Sequence, residues 1–217
     1  MGGSIRAIAL FGMLAGAIAA DAADARGHDL TDVTPLPLVH GVNRIPNFDG
    51  KGHQADIVWA WRENMNAHGY GIYSVLMPQP NSADDWALVT FESRSGGQQN
   101  SEEALRDQPF DDEQSVASVR FVKARWRGKA ETLAISAQRD LSNAVSYIDA
   151  APVDFTIYRL TANAEGTIGW PFYYFDQIDR FRSDERYCNS DWALTAVLAL
   201  PLPKNYRGPR TPTGCIP

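Results

Sequence analysis

Residues 41–77 read GVNRIPNFDGKGHQADIVWAWRENMNAHGYGIYSVLM, and the punctuation of this stretch decides the fold. Residues 42–45 predict a short strand and 47–52 a glycine-rich turn. Residues 56–62 predict a second strand, with Ile57, Trp59 and Trp61 on one face and Val58 and Ala60 on the other. Apolar side chains on both faces place that strand inside a sheet. Residues 63–69 break the pattern with polar side chains, 70–77 resume it, and Pro78 and Pro80 end it.

The turn has the look of a calcium loop. Asn47, Asp49 and Asp56 sit where such loops put oxygen ligands, and Gly50 and Gly52 supply the left-handed bends. The third ligand position is Lys51, whose ammonium cannot coordinate a cation. The stretch therefore reads as a degenerate loop that keeps its turn, and no metal or other cofactor is expected.

Outward from this core, residues 23–41 form a proline-punctuated arm, and 85–92 predict another strand. Residues 93–115 are polar, with Gly96-Gly97 and the acidic Asp111-Asp112-Glu113. They read as a solvated loop or a lid, with one helical turn starting at Ser101. Residues 116–127 and 130–138 predict a hairpin turning at Gly128-Lys129. Residues 141–148 suit a short helix and 153–162 a strand. An aromatic run at 169–175 leads into 177–181. Asn189-Ser190-Asp191 caps a helix over 192–200 that Pro201 and Pro203 end. The expected class is mainly β (α+β): an antiparallel sheet or sandwich with one or two short helices and a C-terminal disulfide.

The chain of 217 residues opens like an export signal. Arg6 is a short positive region, residues 7–20 are apolar, and Ala17-Ile18-Ala19 or Ala20-Asp21-Ala22 suits a signal peptidase. The apolar run is shorter than the ~20 residues of a membrane span, and no lipobox cysteine follows it. Residues 1–22 are thus expected to be a signal peptide. Residues 23–217 are expected to form a single β domain with a proline-rich tail, periplasmic or secreted, with no membrane span. A formal charge of −6 argues against nucleic-acid partners, which need a basic face. Outside the cytoplasm, the isolated pair Cys188 and Cys215 most simply forms one disulfide that ties down the tail. No CxxC spacing and no nearby histidine favours two metal-binding or nucleophilic thiols instead.

Several catalytic signatures are missing. There is no S-x-x-K, no G-x-S-x-G, no HxH and no HExxH. A carboxylate pair assembled in space stays open. What remains is a recognition surface. Trp61, Arg62, Asn64, Asn66, His68 and Tyr70 concentrate aromatic area, donors and acceptors around one loop and suit a small polar ligand with a carboxylate. The alternative is that the asparagines cap a tight β-connection and Trp61 is core. On the first arm of the hairpin, Lys123, Arg125 and Arg127 share a face, either for an anionic ligand or as a solvated or edge-protecting face.

The central stretch resembles the CarG-type carbapenem intrinsic-resistance proteins. The resemblance rests on Gly41-Val42-Asn43-Arg44-Ile45, the Asp49-Gly50-Lys51-Gly52 turn and above all Arg62-Glu63-Asn64-Met65-Asn66-Ala67-His68, with Tyr173-Tyr174-Phe175 and Tyr187-Cys188 in support. It implies a small exported protein that binds a carbapenem rather than hydrolysing it, and a homodimer as its assembly. The expected function is therefore non-catalytic: sequestration of a β-lactam or a similar anionic small molecule. Trp61 and Tyr70 would supply aromatic contacts, and Arg62 or the Lys123/Arg125 face would meet a carboxylate. Two alternatives remain: an envelope structural or interaction protein that binds a protein or glycan, and a periplasmic hydrolase with a spatially assembled site.

Overall fold

A computed structural model describes residues 29–65, 69–80, 82–95, 98–109, 114–204 and 206–216. The expected signal peptide lies outside them, as do Asn66, His68, Gly96-Gly97 and the acidic cluster at 111–113.

The described strands are β1 (Leu30–Pro35), β2 (Gly41–Ile45), β3 (Ala55–Arg62), β4 (Tyr70–Gln79), β5 (Ser82–Ser95), β6 (Gln98–Glu102), β7 (Leu105–Asp107), β8 (Ala117–Trp126), β9 (Lys129–Arg139), β10 (Ala151–Ala162) and β11 (Tyr173–Tyr187); helix α1 spans Ser190–Leu198. They build one 11-stranded sheet in the order β1-β8-β9-β10-β11-β5-β4-β3-β2, with β6 added to β5 and β7 to β4. Two antiparallel runs, β2 to β5 and β8 to β11, meet where β11 lies parallel to β5, with Phe175 opposite Phe91. The two rings stack with centroids 5.0 Å apart.

The sheet curls into a half-barrel. Tyr73 of β4 and Phe121 of β8 are five steps apart in the strand order, yet their ring centroids are 5.9 Å apart. The period-2 alternation of a strand explains how β8 serves two cores. Val119 and Phe121 join Val75, Met77, Val89, Phe91 and Phe175 inside the curl. Val122, Ala124 and Trp126 pack with Phe155, Ile157 and the buried face of α1 on the other side.

Local chemistry sets the ends of these elements. The hairpin turn between β8 and β9 places Arg127 and Gly128 at φ 48° and 79°, the left-handed pair that matches strand twist. Asn189 caps α1 through its Oδ1, which accepts from the Asp191 and Trp192 amides at 2.9 and 3.1 Å. Cys188 and Cys215 are bridged. The Trp192 indole donates to Pro212 O at 3.0 Å, so the tail lies against the body.

Two expectations are corrected. Residues 141–148 form turns, not a helix. Their amides are taken by side chains: Asp140 accepts from Ser142 N, and Asp149 accepts from Val145 N and Ser146 N. Such local bonds compete with helical ones. Nor do residues 93–115 form a loop with a helical turn at Ser101, for they supply the end of β5, β6 and β7. Their polar character hides a hairpin closed on a buried carboxylate. Glu92 accepts from Gln99 Nε2 at 3.0 Å and Ser101 Oγ at 2.7 Å, and Ser101 stands opposite it in register.

Candidate functional site

An open cleft of about 500 Å³ lies where β3, β4 and β7 approach the start of β8 and of α1. Its volume falls in the usual range for small-molecule sites. One wall is aromatic. His40 stacks on Trp59 with ring centroids 4.1 Å apart, and Trp59 stacks on Tyr73 at 5.4 Å. Trp61, two residues along the same face of β3, extends the wall and is 44% exposed.

The floor is polar and tightly specified. Gly71 pairs with Asp107 across β4 and β7. The Gly71 amide donates to Asp107 Oδ1 at 2.9 Å, and the Tyr73 hydroxyl donates to Oδ2 at 2.6 Å. A β-carbon at Gly71 would lie 2.1 Å from Asp107 Oδ1 and 2.9 Å from Trp59 Nε1. Glycine in the middle of a strand thus marks a close approach of side chains to the backbone. Burial pushes the Asp107 carboxyl up from its ordinary range, against the hydrogen bonds from Tyr73 and Gly71. Burial, and then Asp107, raise the Tyr73 phenol.

The opposite wall comes from β8, α1 and the tail. Arg120 donates to Asp191, at the first turn of α1, and to Val119 O. Beside it, the buried hydroxyls of Ser115, Ser118 and Ser190 form a triangle with edges of 2.7–3.0 Å. Their bonds run to one another and to the Ala117 carbonyl, so among the described residues no base activates them. Pro203 and Tyr206 complete the wall. Among the described residues no group of His, Cys, Asp and Glu is arranged to hold a metal. The arrangement can bind and orient a small molecule through aromatic surface, the Asp107 carboxylate and the Arg120–Asp191 pair.

The structure divides the sequence-predicted residues among three places. Trp61 borders the cleft. Arg62 and Tyr70, paired in register, occupy the other face of the same two strands. There the Arg62 guanidinium donates to Asn64 Oδ1 at 2.7 Å and to the Tyr70 hydroxyl at 2.9 Å. Arg62 and Arg106 each lie 5.3 Å from the Tyr70 ring centroid. Lys123 and Arg125 border a second hollow of about 360 Å³ with Asp32, Asp49 and Glu131. Lys123 binds the Asn47 and Phe48 carbonyls and Thr132 Oγ1, and burial lowers its pKa. Arg125 pairs with Asp32 at 3.0 Å. The glycine-rich turn is held by Asp49 and Asn47 accepting from the amides of Lys51, Gly52 and His53. The ammonium at its Asn47 and Phe48 carbonyls is that of Lys123.

Sequence reading missed His40, Trp59 as a wall, Tyr73, Asp107, Arg120 and Asp191. Two signals pointed to them: Gly71 inside a strand, and Arg120 as the one charge in an apolar run, Val119-Arg120-Phe121-Val122.

No family model matches the chain, and no curated protein matches it. Among solved structures it is similar to the crystal structure of CarG, at 19% identity and a TM-score of 0.56, over 75% of this chain and 94% of that one. At that identity the likeness establishes the architecture: the chain has a CarG-like fold.

Proposed function

We propose that this chain is an exported, non-catalytic binding protein that sequesters a carboxylate-bearing small molecule of the β-lactam type in the cleft bordered by Trp59, Trp61, Tyr73, Asp107 and Arg120. The observation that carries the reading is the juxtaposition, across about 500 Å³, of a stacked aromatic wall and a guanidinium-bearing wall. Aromatic surface supplies contact area at low entropic cost, and a planar guanidinium suits a carboxylate. Arg120 has five N–H donors, and its contacts to Asp191 and Val119 O engage two of its nitrogens. The bonds of the buried serines run to one another and to the Ala117 carbonyl, and among the described residues no base reaches them, which favours binding over acyl transfer. The CarG-like fold and the leader-like N-terminus support the same reading.

The test mixes the mature, disulfide-intact protein with a carbapenem and follows tryptophan fluorescence together with β-lactam absorbance. Two tryptophans border the cleft, so saturable quenching at constant absorbance is the expected result. Falling absorbance at sub-stoichiometric protein would show turnover and overturn the non-catalytic reading. If neither signal moves, the small-molecule reading fails and an envelope partner takes its place.

A further inference from the structure

The charges in the cleft do not cancel. Arg120 and Asp191 neutralise each other as an ion pair. Asp107 is left with hydrogen bonds from the Gly71 amide and the Tyr73 hydroxyl, and no described cation forms an ion pair with it. A carboxylate's two oxygens offer about four acceptor positions, so these two bonds leave capacity toward the cleft. Its placement is enforced. Tyr73 is fixed beneath Trp59, and the Gly71 position excludes a side chain. Asp107 is half-buried, and holding a carboxylate partly out of water without a cation carries a cost that is characteristic of functional sites. Trp61, exposed on the same aromatic wall, acts in the same direction, because the face of a tryptophan attracts cations.

We infer that Asp107 is the specificity-determining residue of the cleft and accepts hydrogen bonds from a protonated amine or amidine on the ligand. Arg120 meets the ligand's carboxylate or carbonyl oxygen at the opposite wall. The cleft therefore selects a zwitterion over a simple anion. This inference rests on the cleft being the ligand site, as proposed above, and narrows the class of ligand it takes.

The experiment is a pair of fluorescence titrations of the mature, disulfide-intact protein with thienamycin, which carries an ammonium, and N-acetylthienamycin, which shares its nucleus and carboxylate but has no cation. The wild type should prefer thienamycin by about tenfold or more, as expected for a charge-assisted hydrogen bond. In Asp107→Asn the preference should shrink to within about twofold, with the loss falling on thienamycin. Equal binding of both by the wild type would overturn the inference and leave the cleft as the site. Binding of neither at millimolar concentration would overturn both. A preference that survives Asp107→Asn would remove Asp107 from the role. The wild-type ratio needs no variant, so it decides even where Asp107→Asn fails to fold.

Discussion

Asp107 and Glu92 are both carboxylates set in the sheet, and their surroundings push them in opposite directions. At Glu92 burial alone would raise the pKa, but hydrogen bonds from Thr90, Gln99 and Ser101 outweigh it and hold it below the ordinary value. A depressed folded pKa means that the unfolded chain binds the proton first. Glu92 therefore contributes stability above the ordinary carboxylate range that is lost as pH falls through its depressed folded pKa. Urea midpoints measured at pH 7 and pH 3 should fall less for Glu92→Gln than for the wild type; an unchanged difference would contradict this assignment. Asp107 has the opposite sign, since its raised pKa makes ionisation less favourable in the folded chain than in the unfolded one, a cost to stability that is present at neutral pH. Asp107→Asn is accordingly expected to match or exceed the wild-type urea midpoint at pH 7, as a functional residue held at a cost to stability would. Gly71→Ala should do the reverse. Its methyl group overlaps Asp107 Oδ1 and Trp59 Nε1, and such overpacking costs about 1–3 kcal/mol in urea unfolding. Neither carboxylate was legible as withdrawn from water in the sequence, because the partners of Asp107 and two of the three that hold Glu92 come from other strands.

Elements whose information is local were the most legible. The β3 alternation, the hairpin turn at Gly128 and the Asn189 cap each lie within a few residues of what they specify; the strand and the cap appear as read, and the turn falls one residue earlier, at Arg127-Gly128. The 93–115 stretch was misread because its strands are held by side-chain bonds to Glu92 and by pairing with β4, neither of which leaves an apolar period. The tail is a further case. It has little regular structure after α1, yet Pro203 and Tyr206 form part of the cleft wall. Its anchors are the Cys188–Cys215 bridge, 27 residues apart in sequence, the Cys188 amide on Thr213 O, and Trp192 on Pro212 O. By the chain-entropy model, a loop of that length stabilises by roughly 3.5 kcal/mol. Replacing both cysteines with alanine should lower unfolding free energy by about that amount and weaken carbapenem binding in the fluorescence titration. Unchanged affinity would show that the tail is not part of the site.

At the scale of the whole molecule, the proposed site depends on the curl of the sheet. The parallel junction of β11 with β5 lets two antiparallel runs curl until β4 faces β8. That curl brings Tyr73 and Asp107 opposite Arg120 and Asp191, residues up to 118 positions apart (191 − 73). No reading of one segment places them together, which is why the sequence pointed to the loop after β3 and found only Trp61 of the cleft. No described helix is long and apolar enough to cross a membrane. Trp61 and Arg62 are neighbours in sequence but occupy opposite faces of β3, and this separates the cleft from the outer Arg62–Tyr70 surface in one experiment. The decisive measurement is the carbapenem dissociation constant of Trp61→Ala beside that of Arg62→Ala, both in disulfide-intact protein. Trp61→Ala should weaken binding about tenfold, as loss of an aromatic anchor does, while Arg62→Ala stays within about twofold of the wild type. Loss of binding in Arg62→Ala with Trp61→Ala unaffected would contradict the account and move the site to the outer face.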